Sequence, residues 1–210
     1  MKIAWFTPFS RNTAIGKYSE SVVIALKRYY GVDLFISEKK DLITTRLSKI
    51  YYKPDNVLSL LEHYDICIYN IGDDFEYNTA IFDVVRQRPG LIIIHDLNRF
   101  NSNIIESIHP YSLGFVVHSS EYESKIKSVY AGSVCIIPPI YDNEGNDYSE
   151  KLYEFIQSVN FLKPLYSLTD LISQELIFMG VSSDMRIYET ISNEIDLLFR
   201  DSNLRKGIGY

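Results

Sequence analysis

His95-Asp96 follows the apolar run Leu91–Ile94 with no turn between them. An imidazole titrating near pH 6.5 in water suits general acid–base work or a hydrogen bond to a substrate hydroxyl. The plainer role is a histidine bonded to a neighbouring loop. His118-Ser119 ends the next apolar run in the same way, where a capping or packing role is the simpler one. Gly72-Asp73-Asp74 closes the run Asp65–Ile71, and its adjacent carboxylates suit a cation or a sugar hydroxyl, or else a solvated turn. Ser10, Asn12, Thr13 and Ala14 precede Ile15-Gly16. A helix beginning near Gly16 would turn unbonded amides and its positive dipole end toward a phosphate or carboxylate. No G-x-G-x-x-G or P-loop spacing accompanies this loop, so a plain tight turn into a helix is the simpler reading. His63 and His109 fall at expected helix ends, and four histidines so scattered form no metal-ligand set.

The elements that must hold these residues read as alternating strands and helices. Lys2–Phe6, Val32–Ile36, Asp65–Ile71, Leu91–Ile94, Gly114–His118 and Val134–Ile137 are strand runs. Helical spacing places Tyr18, Val22, Ala25, Leu26 and Tyr29 on one face, and Ala80, Ile81, Val84 and Val85 on another within Tyr77–Arg88. Asp55–His63 reads as a short helix, and Ser120-Glu121-Tyr122-Glu123 as a capping box for a helix reaching Tyr130. Short connections between such elements predict an α/β fold, a single Rossmann-like doubly wound parallel sheet with right-handed crossovers. Ligands bind such sheets beyond the carboxyl ends of the strands. That rule selects the loops 7–16, 72–77, 95–100 and 118–120.

The polar connector Tyr141–Asp147 marks a boundary between a domain at 1–140 and a linker with helical tail at 141–210. Leu152, Phe155, Ile156 and Val159 line one tail helix. Further helical faces carry Leu168, Leu171, Ile172 and Leu176, then Tyr188, Ile191, Ile195 and Leu198. Amphipathic segments of this kind cannot bury themselves alone, so the tail is expected to pack on the sheet domain.

The chain has 210 residues, 46% of them hydrophobic and 23% charged, enough to bury a sizeable core. Lys and Arg total 21 against 27 Asp and Glu, a net charge of −6, the opposite of what a phosphate-neutralising nucleic-acid binder needs. No run approaches the ~18 apolar residues that span a bilayer, and Met1–Trp5 opens into a strand pattern instead of a leader. Cys67 and Cys135 sit inside apolar runs and read as buried thiols. A cytoplasmic protein is the expectation. Lys39, Lys40, Arg46, Lys49 and Lys53, with Tyr51 and Tyr52, make 38–53 a local basic, aromatic stretch suited to an anionic lipid surface, or an ordinary charged helix and loop.

Several segments, taken in order, resemble family 4 glycosyltransferases of the GT-B fold. Phe6-Thr7-Pro8 through Ile15-Gly16-Lys17-Tyr18-Ser19 is similar to that family's opening loop. Asp65–Gly72 resembles its following strand, with Asp73 where Asn is usual. Arg88-Pro89-Gly90-Leu91-Ile92-Ile93-Ile94-His95-Asp96 resembles its Pro-Gly to His-Asp segment, and Val116-Val117-His118-Ser119 with Ile136-Ile137-Pro138 its next two strands. The resemblance covers about the first 140 residues. It implies an acceptor-binding domain in which His95 contacts the transferred sugar or acceptor, with Ile15, Gly16, Asn12, Thr13, Gly72, Asp73, Asp96, His118 and Ser119 around it. It implies no cofactor, a nucleotide sugar as donor substrate, and a carbohydrate or lipid-linked acceptor. The family's second domain, which grips the diphosphate with a basic pair and a Glu-x7-Glu motif, has no counterpart after Ile137. Tyr148–Phe199 resembles the helical tail of full-length members. The expected protein is therefore an acceptor half completed by a partner chain or a second copy, or a non-catalytic relative. A third possibility, a small nucleotide-binding protein, lacks both a glycine fingerprint and an acidic residue closing the second strand.

Overall fold

A computed structural model of the chain describes residues 1–72, 75–96, 102–140 and 145–159. The apolar runs form seven strands: β1 (Lys2–Phe6), β2 (Gly31–Ile36), β3 (Lys49–Tyr51), β4 (Ile66–Ile71), β5 (Gly90–Ile94), β6 (Ser112–Val117) and β7 (Val134–Ile136). They make one sheet in the order β3-β2-β1-β4-β5-β6-β7, every neighbouring pair parallel. The α/β Rossmann-like reading holds. β4 and β5 are buried at every position, as a sheet covered on both faces requires.

Helices α1 (Ala14–Leu26), α2 (Val57–Leu60), α3 (Phe75–Gln87), α4 (Ser102–Ile108), α5 (Ser120–Lys127) and α6 (Asn146–Ser158) complete the described part. Gly16, Ser19, Val22, Val23, Ala25 and Leu26 form the buried face of α1. Tyr29 lies past its end and is exposed, stacked on Tyr153 of α6. The segment expected to be helical at Asp55–His63 is shorter, a 3-10 turn at Pro54–Asn56 followed by the single turn of α2. Leu58 points to solvent there.

Residues 38–53 are not a helix. They form a strap and the edge strand β3, which pairs with β2 from Leu34↔Lys49 to Ile36↔Tyr51. Three residues beginning with Lys suit an edge, where length and charge are kept unfavourable to further pairing. Tyr52 is core, so only Tyr51 of the two tyrosines is available at the surface.

α6 docks on α1 through a local device. Gly145 starts the helix at φ 54°, in the left-handed region that favours glycine, with the Ser21 carbonyl close beneath it. Ser149 Oγ then reaches Val22 O at 3.2 Å and Gly145 O at 2.7 Å. Leu152 and Ile156 enter the core beside Val22 and Val23. The faces expected beyond residue 159 lie outside the described residues. Among the described residues no helix is long and apolar enough to cross a membrane.

Candidate functional site

Strand tips are brought together by backbone bonds that run past the strands. His95 N donates to Ile71 O at 2.9 Å, Ile137 N to Val117 O at 2.9 Å, and Thr7 N to Phe35 O at 3.3 Å. His95 is thereby set beside Gly72 and His118 beside Ile137. β1 and β4 are neighbours although β2 and β3 lie between them in sequence, so the order of the sheet reverses there. Ligand sites of doubly wound folds sit at that reversal.

A cavity of about 320 Å³ opens at this point, lined by Pro8, Asn12, Thr13, Ala14, Ile15, Gly72, Tyr77, Asn78, His95 and Asp96. Six of the residues expected at a site, Asn12, Thr13, Ile15, Gly72, His95 and Asp96, share it. Gly16, His118 and Ser119 do not line it, and Asp73 lies outside the described residues.

Gly16 has a different task from the expected one. α1 starts two residues earlier than anticipated, with Thr13 as its cap, and Thr13 Oγ1 accepts the Gly16 amide at 3.3 Å. That amide is spent inside the protein. A side chain at Gly16 would press on Ile43 and on the Pro8–Phe9 backbone, so glycine serves close approach. Ala14 and Ile15, whose amides have no intrahelical partner in a first turn, are the ones that reach the cavity.

Ser119 is likewise a cap. The cap of α5 lies one residue before the expected box, and Ser119 Oγ accepts from Tyr122 N at 3.3 Å. The Tyr122 hydroxyl donates to Asp96 Oδ1 at 3.2 Å, which orients Asp96 from α5.

His95 is held on both sides. Its Nε2 meets Asn70 Oδ1 at 3.1 Å and its Nδ1 meets His118 Nε2 at 3.1 Å. His118 Nδ1 donates to Ile137 O at 2.8 Å, and Asn70 Nδ2 donates to Phe6 O at 2.9 Å. The ring of Tyr18 stands edge-to-face with His95 at 4.4 Å, and Tyr148 closes the group from α6, 6.1 Å from His118. Burial, then the neighbouring His118, hold His95 well below the ordinary imidazole range; burial also lowers His118, against the pull of Ile137 O. Both shifts oppose a charge on this pair. Both nitrogens of His95 are engaged, so a free imidazole base is not what the cavity presents.

Two asparagines here carry no sequence motif of their own. Asn70 is the polar member of a buried strand and spans β1 to His95. Asn78, 1% exposed, grips Gly72 by both backbone groups: its Nδ2 donates to Gly72 O at 2.7 Å and its Oδ1 accepts from Gly72 N at 3.3 Å. For Asn70, a polar residue inside an apolar run is the available signal; Asn78, between Tyr77 and Thr79, carries none.

An acidic residue does follow β2 after all. Glu38 stands two positions past Ile36, and its Oε1 accepts from Phe9 N at 3.0 Å. With Arg11 N on Asp41 O at 2.7 Å and Ile43 N on Phe9 O at 3.1 Å, it straps the loop after β1 to 38–43. This carboxylate is committed to holding that loop. Cys67 is buried with its thiol pushed up to about 11, so it is a packing residue at neutral pH; Cys135 is half-buried on β7, more open than expected.

The chain matches no protein-family model and no curated protein sequence. Among solved structures it is similar to a sucrose-phosphate synthase from Thermosynechococcus elongatus, at 13% identity and TM-score 0.53, over 75% of this chain and 98% of that one. At that identity the likeness concerns fold alone: the α/β architecture of this chain is similar to that of the synthase.

Proposed function

We propose that this protein works on the acceptor side of sugar transfer, moving a glycosyl group from a nucleotide sugar to a carbohydrate or lipid-linked acceptor, with a partner chain or second copy supplying the donor half. The observation that supports this best is the gathering of Asn12, Thr13, Ile15, Gly72, His95 and Asp96 around one cavity at the reversal of the sheet. The ordered resemblance to family 4 glycosyltransferases supplies the chemistry. In such transfer the sugar–phosphate bond breaks through an oxocarbenium-like state, and the protein stabilises the departing diphosphate electrostatically. Here the first turn of α1 offers amides, Asp96 offers a carboxylate for a hydroxyl, and His95 offers its ring edge as a fixed wall.

A second reading, a non-catalytic acceptor-binding or scaffolding subunit, draws on the engagement of both His95 nitrogens. Calorimetry with nucleoside diphosphate sugars addresses the donor half: weak or no binding to the chain alone is expected, and a tight complex would overturn the need for a partner. His95→Ala separates the two readings. Transfer by the complex of this chain with its partner should fall about tenfold or more with the fold intact, whereas unchanged turnover assigns the chain to the scaffolding role. Contact of residues 38–53 with an anionic membrane surface is part of the proposal.

A further inference from the structure

The array Phe6–Asn70–His95–His118–Ile137 contains four hydrogen-bond contacts, and its hydrogens can be counted. Ile137 O is a carbonyl and only accepts, so His118 Nδ1 carries a hydrogen. Phe6 O takes a hydrogen from Asn70 Nδ2, which turns Asn70 Oδ1 toward His95; His95 Nε2 must then carry a hydrogen too. His95 Nδ1 and His118 Nε2 remain, facing each other at 3.1 Å. With both rings neutral these two nitrogens each hold a lone pair, and the contact between them has no hydrogen. Shifting either ring to its other tautomer only moves the gap to another contact. The asparagine gives one hydrogen and two neutral imidazoles give one each, three for four contacts. One added proton completes all four; a second would set two N–H groups against each other.

We propose that His95 and His118 bind a single proton between them, and that this charge, reaching the cavity beyond β1, β4 and β5 through His95 with His118 behind it, recognises an anionic group of a ligand such as a phosphate or carboxylate. The groups facing the pair suit one cation. Tyr18 from α1 and Tyr148 from α6 surround it with rings. Asp96, one residue on, is turned to Tyr122 of α5. Asn70 from β4 and the carbonyls of Phe6 and Ile137 present acceptors or an amide and no charge. Burial and the neighbouring ring oppose ionisation, and a second proton would in addition set two N–H groups against each other, so the pair takes one. The first turn of α1, whose dipole end is positive, lines the same cavity from the other side. This inference stands apart from the sugar-transfer reading, since it needs neither a donor nor a partner.

The test is a titration of the full chain labelled with ¹⁵N-histidine, followed by NMR of the ring nitrogens between about pH 5 and pH 8. His95 and His118 should report one common step of one proton, with a far-downfield N–H···N hydrogen. Replacing chloride by sulfate at constant ionic strength should raise the common midpoint by about half a pH unit, roughly a threefold tighter hold on the proton. His118→Phe should abolish both the step and its sulfate dependence, leaving His95 as the Nε2–H tautomer; the amide spectrum reports whether that variant is folded, and if it is not the wild-type titration decides alone. Two neutral rings across the range, two independent imidazolium steps, or a midpoint indifferent to sulfate would each overturn the proposal.

Discussion

Glu38 shows how a single residue here serves construction and carries a cost. Its carboxyl is raised by burial, the largest influence, against the backbone amides that lower it. A folded value above the ordinary one means that the folded state holds the proton more tightly. That contribution to stability is present below the ordinary glutamic acid pKa and is lost as pH rises through the raised folded value. Glu38→Gln keeps an oxygen for Phe9 N and removes the charge. The variant should melt higher than the wild type at pH 7 to 8, with the difference closing near about pH 4; a lower melting point at pH 7 would mean that the charged acceptor outweighs its desolvation. Residues like His95, Asp96 and Gly72 could be picked from sequence because each directly follows an apolar run, and strand ends are where these sheets bind ligands. Asn70, Glu38 and the contact of His95 with His118, 23 positions apart, depend on which strands are neighbours, and no local pattern encodes that. The amide of Gly16 departs from the expectation for a similar reason: a cap at Thr13 moves the start of α1 and consumes the donor that a later start would have left open.

Elements were readable where their residues are apolar, β7 included although it is as short and as open as β3. β1, β4, β5 and β6 are long apolar runs because helices cover both faces, whereas β3 is three residues at an edge, half-buried to exposed, and looks like charged loop. Close approach between elements also sets which glycines are indispensable. At Gly90, where the β5–β6 register shifts, a Cβ would collide with the Cys67 carbonyl oxygen of β4 and with the Tyr69 ring. Backbone cannot yield cheaply inside a paired sheet. At Gly72 the added methyl would meet only the tip of the Ile15 side chain, which can rotate away. Gly90→Ala should therefore cost about 1–3 kcal/mol in urea unfolding, and Gly72→Ala under about 1 kcal/mol. Equal losses at the two sites would show that the β4–β5 spacing relaxes more readily than a packed parallel sheet allows. Gly72→Ala carries a second consequence, since Ile15 would be pushed into the cavity it lines.

Charge is distributed unevenly over the whole molecule, and this decides how the proposed membrane contact must behave. The chain as a whole carries −6, yet residues 38–53 hold five cations against Glu38 and Asp41. Lys39, Lys40, Arg46 and Lys53 are exposed, and Lys49 is half-buried on the edge strand. Each exposed cation near an anionic surface contributes about 1 kcal/mol, and the attraction falls off within a Debye length of about 8–10 Å. Over that distance the basic strap acts alone, while the acidic remainder of the protein is repelled and favours an orientation with the strap toward the lipid. Binding to vesicles containing ~30% phosphatidylserine is thus expected at low ionic strength and should weaken steeply by about 0.15 M salt. Changing Lys39, Lys40 and Arg46 to Ala should abolish co-sedimentation without altering the melting temperature, because none of the three is buried. Retention of the triple variant on the same vesicles would move the contact elsewhere, and failure of the wild type to bind at low salt would remove the membrane from the account of this protein while leaving the cavity at the sheet reversal untouched.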